Sequence, residues 1–173
     1  MSIRLSVFIA ASLDGFIATR DGGLDWLEAA ARPDEDYGYE AFLAGIDALA
    51  MGRGTYDHIA ALDPLPFGDR PVFVFTHGPV AARPGVTFWA EDPRSAVATW
   101  QALGLGHVYV DGGSLIGQFL AEGLIDDMVI TTAPVLLGDG IPLFPPTGVG
   151  SSWRLEAVES WPSGMMSRRY ARA

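Results

Sequence analysis

The chain has 173 residues, a formal net charge of -10 and no cysteine. That length suits one domain, or at most two small ones. The absent thiols exclude disulfides, thiolate nucleophiles and cysteine-ligated metals, and the acidity argues against binding nucleic acid through its phosphates. No apolar run approaches the ~20 residues of a membrane span. Met1-Ser2-Ile3-Arg4 passes straight into a short apolar run that stops at Ser12-Leu13-Asp14-Gly15. No signal peptide is expected, and the reading is a soluble, cytoplasmic protein.

Ile3–Ala11 is a continuous apolar run with β-branched members, which predicts a central buried strand. A helix follows over Asp36–Ala44, with Tyr39, Phe42 and Leu43 on one face. Ala48–Met51 reads as a short buried strand, Gly54–Ala61 as a helix, and Pro71–Thr76 and Val86–Trp89 as strands. A helix over Pro93–Leu103 leads to a buried strand at His107–Val110. Ser114–Glu122 is amphipathic, with Ser114 expected as N-cap and Gly123 as the C-terminal stop. Asp127–Val135 reads as a long strand, and Trp153–Trp161 with Met165–Tyr170 as a hairpin around Pro162-Ser163-Gly164. Alternating strands and helices predict an α/β fold with a mostly parallel sheet covered on both faces, and the hairpin adds antiparallel strands at one edge.

In such sheets ligands bind beyond the carboxyl ends of the strands. Four of those ends carry unusual residues: Ser12-Leu13-Asp14-Gly15, Gly52-Arg53-Gly54-Thr55, Thr76-His77-Gly78 and Asp111-Gly112-Gly113-Ser114. Two of them, Gly52–Thr55 and Gly112–Ser114, open a helix directly after a buried strand, where free N–H groups and the helix dipole favour a phosphate. Arg53 adds a planar cation suited to a 2′-phosphate or a pyrophosphate. Each feature alone is ordinary: Gly112-Gly113 makes a tight turn, and Arg53 a surface arginine. The Gly-x-Gly-x-x-Gly pattern of a standard dinucleotide fold is missing.

His58, His77 and His107 lack metal-ligand spacing. His58 and His107 read as structural, whereas His77 follows a strand at the expected ligand edge. No Ser/His/Asp arrangement or Gly-x-Ser-x-Gly elbow suggests a hydrolase. Asp34, Glu35 and Asp36 read either as helix-capping groups or as a carboxylate facing a pocket, where one could orient or protonate a heterocycle.

Ala10-Ala11-Ser12-Leu13-Asp14-Gly15, Met51-Gly52-Arg53-Gly54-Thr55-Tyr56, Asp111-Gly112-Gly113-Ser114-Leu115-Ile116 and Leu124-Ile125-Asp126-Asp127 occur in order, followed by Pro134-Val135-Leu136-Leu137-Gly138-Asp139-Gly140-Ile141-Pro142-Leu143-Phe144. This ordered set resembles the reductase half of the bifunctional riboflavin-biosynthesis deaminase–reductase and its stand-alone dihydrofolate-reductase-like relatives. The resemblance implies one dihydrofolate-reductase-like domain over residues 1–173, a three-layer α/β/α sandwich that binds NADPH. Ala11 looks like the strand-end residue whose backbone meets the nicotinamide carboxamide, and Ile17 like the apolar residue beside its ribose. Gly52, Arg53 and Thr55 are similar to the turn for the pyrophosphate and 2′-phosphate. Phe75, Thr76 and His77 match the strand end that holds the adenosine. Gly112, Gly113, Ser114, Leu115 and Ile116 match the second phosphate turn and its helix. Asp36 falls where folate-reducing enzymes place their pterin-binding acid, with Asp34 and Glu35 as alternatives.

Two departures matter. There is no room and no cysteine set for the zinc-dependent deaminase domain, and the basic set that a ribose-phosphate substrate requires is missing. The implied activity is therefore NADPH-dependent hydride transfer to a small pyrimidine- or pterin-like substrate, with reduction of 5-amino-6-(5-phosphoribosylamino)uracil in riboflavin biosynthesis as one form of it. The alternatives are a non-catalytic nucleotide- or pterin-binding module, and a reductase of small carbonyl compounds with a pocket of Trp26, Tyr37 and Phe42. Trp153, Trp161 and Tyr170 in the tail suggest either a homodimer surface or closure of the chain's own core.

Overall fold

The structure, a computed structural model, describes residues 2–173. Its first half comprises β1 (Arg4–Ala11), β2 (Phe16–Ala18), α1 (Asp25–Ala30), α2 (Tyr39–Ala44), β3 (Ala48–Gly52), α3 (Arg53–Ile59), β4 (Val72–Phe75) and β5 (Val86–Trp89). The second half comprises α4 (Pro93–Ala102), β6 (His107–Asp111), α5 (Gly113–Ala121), β7 (Asp127–Thr132), β8 (Ile141–Pro142), β9 (Trp153–Ser160) and β10 (Met166–Arg172). Eight strands form one sheet in the order β5-β4-β3-β6-β1-β7-β10-β9, and β2 pairs with β8 in a separate ribbon. Every pair from β5 across to β7 is parallel, while β10 runs antiparallel to both β7 and β9. The fold is dihydrofolate-reductase-like, a mixed and mostly parallel sheet between two helical layers. No helix of the described residues is long and apolar enough to cross a membrane.

The central strands are apolar on both faces because helices cover both. Val108, Val110, Leu5 and Val7 pack under α4 and α5 with Trp100 and Phe119, whose rings stack 5.9 Å apart. Tyr109, Leu49, Met51 and Val74 face α2 and α3 on the other side. Tyr39, Phe42 and Leu43 lie against that second cluster, as their spacing requires.

The helix expected over 36–44 begins only at Tyr39, with Gly38 at the N-cap in the left-handed region; Asp36, two residues earlier, holds the turn by accepting the Gly38 and Glu40 N–H groups at 3.1 and 3.2 Å. Ser114 is not the N-cap of α5; Gly112 holds that place and Ser114 lies exposed in the first turn. β7 stops at Thr132 rather than Val135, and α1, β2 and β8 come from segments too short to show a period.

The amino edge of the sheet is closed by a polar network around the buried Ser6 and Asp127. The Arg4 Nε–H donates to Asp127 Oδ2 at 2.6 Å, and the Ser6 hydroxyl lies 2.9 Å from the same oxygen and 2.7 Å from His107 Nε2. The other nitrogen, His107 Nδ1, donates to the Gly45 carbonyl at 2.9 Å. Asp47 Oδ2 accepts the Gly106 and His107 N–H groups, and Asp126 accepts that of Leu5. His107 is thus a structural histidine.

Candidate functional site

Ala11, Gly52, Phe75, Trp89, Asp111 and Thr132 all end parallel strands at one edge. β3 and β6 are neighbours in register Met51↔Asp111, so the turns that follow them meet. A side-chain carbon on Gly112 would lie 2.5 Å from Thr55 Oγ1, and its φ of +93° is itself closed to other residues. One on Gly113 would lie 2.6 Å from the Pro142 carbonyl and 3.1 Å from Ile17 Cδ1. The β2–β8 ribbon therefore covers the first turn of α5 and delivers Ile17 to it.

Neither Gly52 nor Gly112 supplies a side-chain cap, so the first N–H groups of α3 and α5 are left open. A carbon on Gly52 or Gly54 would meet nothing within 4 Å. Open donors, a positive helix end and clear space over the backbone suit the pyrophosphate of a dinucleotide, so these residues fit NADPH. Arg53 is exposed beside them, its Nε donating to Asp57 at 2.7 Å. An exposed i,i+4 pair of this kind is weakly held, which leaves the guanidinium available to an anion.

Phe75 packs edge-on against Trp100 and Phe119, with ring centres 6.2 and 5.7 Å apart. Thr76 Oγ1 accepts the Gly78 N–H at 3.2 Å, and that tight turn leaves His77 exposed. The Leu115 and Ile116 side chains are buried in the core, so only their backbone faces the turn.

The Ala11 backbone faces β7. Its carbonyl accepts the Ala133 N–H at 2.8 Å, which commits its backbone to the β7 side. Backbone groups alternate sides along a strand, so those facing the lane vacated beyond the end of β6 belong to Ala10.

The three clustered carboxylates separate. Asp34 pairs with Arg32 through two contacts of 3.1 Å. Asp36 is exposed, and the backbone N–H bonds from Gly38 and Glu40 hold its carboxyl below the usual range, which makes it a turn-holding group before α2 and a poor proton donor. Glu35 turns inward, its side chain only 5% exposed. Its Oε1 accepts the Ser163 N–H at 3.0 Å at the tip of the β9–β10 hairpin, while Oε2 is buried without a partner.

The group that sequence reasoning passed over as a donor is Asp111. Burial pushes its carboxyl up from 3.8 to about 6, against the pull of the Gly112 N–H at 2.9 Å. The neighbouring Tyr109 hydroxyl, which donates to the Phe8 carbonyl at 2.7 Å, also pulls the Asp111 carboxyl down, and burial outweighs both pulls. Tyr39, the first residue of α2, senses the Asp111 charge and has its own hydroxyl pushed up by burial. The available signal was position: Asp111 is the carboxylate that directly follows Val108-Tyr109-Val110 and precedes Gly112.

Beyond Asp111, the edge continues over β7 to the hairpin tip, where the Tyr37 ring meets Trp161 at 5.3 Å and the Tyr37 hydroxyl accepts the Arg32 N–H at 2.9 Å. Trp26 lies partly buried on α1, but Phe42 belongs to the core rather than to a pocket wall. Trp153 and Tyr170 pack onto the chain's own core and Trp161 donates to Ser167, so the tail aromatics do not form an exposed patch.

Comparison with known proteins agrees with this arrangement. The family model described as the RibD C-terminal domain matches residues 65–167. The uncharacterized protein YwjB of Bacillus subtilis is 38% identical over 147 residues, which is 83% of this chain and 84% of that protein. The solved structure of a putative riboflavin biosynthesis protein from Shewanella sp. PV-4 is 36% identical, superposes with a TM-score of 0.90 and covers 99% of both chains. Dihydrofolate reductase from Enterococcus faecalis, complexed with NADP(H), superposes with a TM-score of 0.68 over 98% of this chain and 96% of that one. At 21% identity, that last likeness is one of fold.

Proposed function

Because this chain belongs to the RibD C-terminal domain family, we propose that it is an NADPH-dependent reductase acting on a C=N or C=O bond of a small pyrimidine- or pterin-like substrate. The observation that carries the reading is Asp111, a carboxyl with a pKa of about 6 placed between two uncapped helix starts. When bound, NADPH supplies the hydride. Gly52, Arg53 and Thr55 on one side, and Gly112, Gly113 and Ser114 on the other, would hold its phosphates. Phe75, Thr76 and His77 would line the adenosine end, while the Ala10 backbone and Ile17 would orient the nicotinamide.

The chain's own chemical contribution is a proton. Asp111 Oδ2 lacks a backbone donor, and a carboxyl near pKa 6 still carries its proton in about a tenth of molecules at neutral pH. It would pass that proton to the substrate nitrogen or oxygen as the neighbouring carbon is reduced, and recover it from solvent. The β2–β8 ribbon over Gly113 would keep water from the reacting bond. Reduction of 5-amino-6-(5-phosphoribosylamino)uracil is the reaction nearest to the family's description, and the Shewanella relative is described as a putative riboflavin biosynthesis protein. A non-catalytic module would need no proton donor, so Asp111 favours the enzyme.

Calorimetric titration with NADPH, and with NADH as control, tests the cofactor half. Micromolar binding that prefers NADPH is expected. No binding of either would overturn the proposal.

A further inference from the structure

We infer that the chain carries a second small-molecule site, on the α5 face of the sheet and away from the cofactor turns, and that it takes a planar apolar carboxylate. A cavity of about 420 Å³ lies there between α5, the sheet and the segment that follows β8. Its walls are Leu120 of α5, Met128 of β7, Trp153 of β9 and Tyr170 of β10, with Phe144 and Pro145 after β8. Met128 is the second residue of β7 and pairs with Tyr170. The cavity therefore sits four residues, roughly 13 Å, short of the Thr132 end of that strand, where the cofactor edge begins.

The volume falls within the range of ligand pockets. Phe144 and Val149 are 47% and 58% exposed, so the cavity opens to solvent beside them. Its aromatic walls favour a flat ring system, and none of its lining residues is charged.

The charge stands just behind Trp153. Arg172 pairs with Trp153 in the β9–β10 ladder and holds its guanidinium 5.5 Å from the centre of that ring. Its Nε donates to the Ile125 carbonyl at 2.9 Å, while Nη2 is buried without a partner. The acids of the neighbouring turn are committed elsewhere, Glu122 to Arg94 and Asp126 to the Leu5 N–H. Leaving a buried N–H of a permanent cation unanswered is costly. A carboxylate answers it best, through a charge-assisted bond. From the cavity it reaches the guanidinium by a small turn of the Trp153 indole, whose Nε1–H is held by the exposed Ser151 hydroxyl at 2.9 Å.

The test is calorimetric titration of the full chain with 2-naphthoate, in excess NADP+ to fill the cofactor cleft, with 2-naphthamide as the neutral match. The acid should bind at least about tenfold more tightly than the amide. Arg172→Met keeps an apolar stem against Trp153 and should remove that preference. Val149→Asp sets a like charge at the exposed mouth and should weaken the acid at least about tenfold with Tm unchanged. Equal binding of acid and amide would overturn the inference, as would a preference that survives in Arg172→Met or an unchanged affinity in Val149→Asp. No binding at millimolar concentration would overturn it too, and a dimer by light scattering would then give this face to a second copy of the chain.

Discussion

At the amino edge of the sheet, Arg4, Asp127, Ser6 and His107 form one continuous chain of polar contacts ending on the Gly45 carbonyl. At the carboxyl edge, two helices start uncapped, and Asp111 keeps a single backbone donor against a strong burial cost. Both edges are made by the same strands, so the contrast is not one of fold. Satisfied buried polar groups rigidify, whereas open donors and an uncomfortable carboxyl cost stability and wait for a ligand. The edges should also respond oppositely to pH. Burial, with Arg4 nearby, holds His107 below its usual pKa, so its share of stability is present above the unfolded value and lost on acidification. The Asp111 pKa is raised, so its share is present below the unfolded value and lost as pH rises through about 6.

The largest effect should come from Asp111→Asn. Losing the proton donor should lower kcat by roughly 10²- to 10⁴-fold. The same change should stabilise the protein by up to about 3 kcal/mol well above pH 6, since the ionised carboxyl no longer has to be buried, with little change near pH 4. A variant that loses activity without becoming more stable at alkaline pH would break the contrast. Asp127→Ala should do the reverse. It leaves the buried Ser6 hydroxyl without its acceptor and the half-exposed Arg4 without its partner, and should cost about 1–3 kcal/mol, or roughly 2–12 °C in Tm. NADPH affinity of the folded protein should not move, as calorimetry below the new Tm would show.

The difference between the edges was only partly legible in the sequence. The glycine turns and Arg53 could be placed because the signals are local: strand, then glycine, then helix, within a few residues. Asp36 could not be told from Glu35, because inward and outward directions in 32–38 are decided by the Ser163 N–H at the hairpin tip, 128 positions away. Asp111 was visible as a strand end, but its raised pKa depends on burial, which only the packing of the helices on the sheet produces. Ala11 against Ala10 is a matter of register, where a shift of one residue exchanges the two sides of a strand.

Arg53→Ala sharpens the contrast at the cofactor end. If the guanidinium leaves Asp57 for a 2′-phosphate, NADPH should bind about 1.5–3 kcal/mol more weakly, with NADH little changed. Equal losses for both would move Arg53 to the pyrophosphate.

The smallest effect should be at Asp14, which lies at the carboxyl edge yet behaves like a group of the amino edge. Its carboxylate accepts the Ser12 hydroxyl at 2.6 Å and the Leu137 and Gly138 N–H groups at 3.1 and 2.7 Å. It thereby ties the loop after β1 to the loop after β7, beside the Arg20–Asp139 ion pair. The Ser12 bond first, and then the backbone bonds, hold its carboxyl below the usual range, so the tie persists at neutral pH and is released only on strong acidification. Asp14→Ala should speed amide hydrogen exchange at Leu137 and Gly138 and lower kcat only modestly, because it loosens the segments beside Ile17 without touching Asp111. Unchanged exchange at both amides would mean that the β2–β8 ribbon alone holds the cover in place.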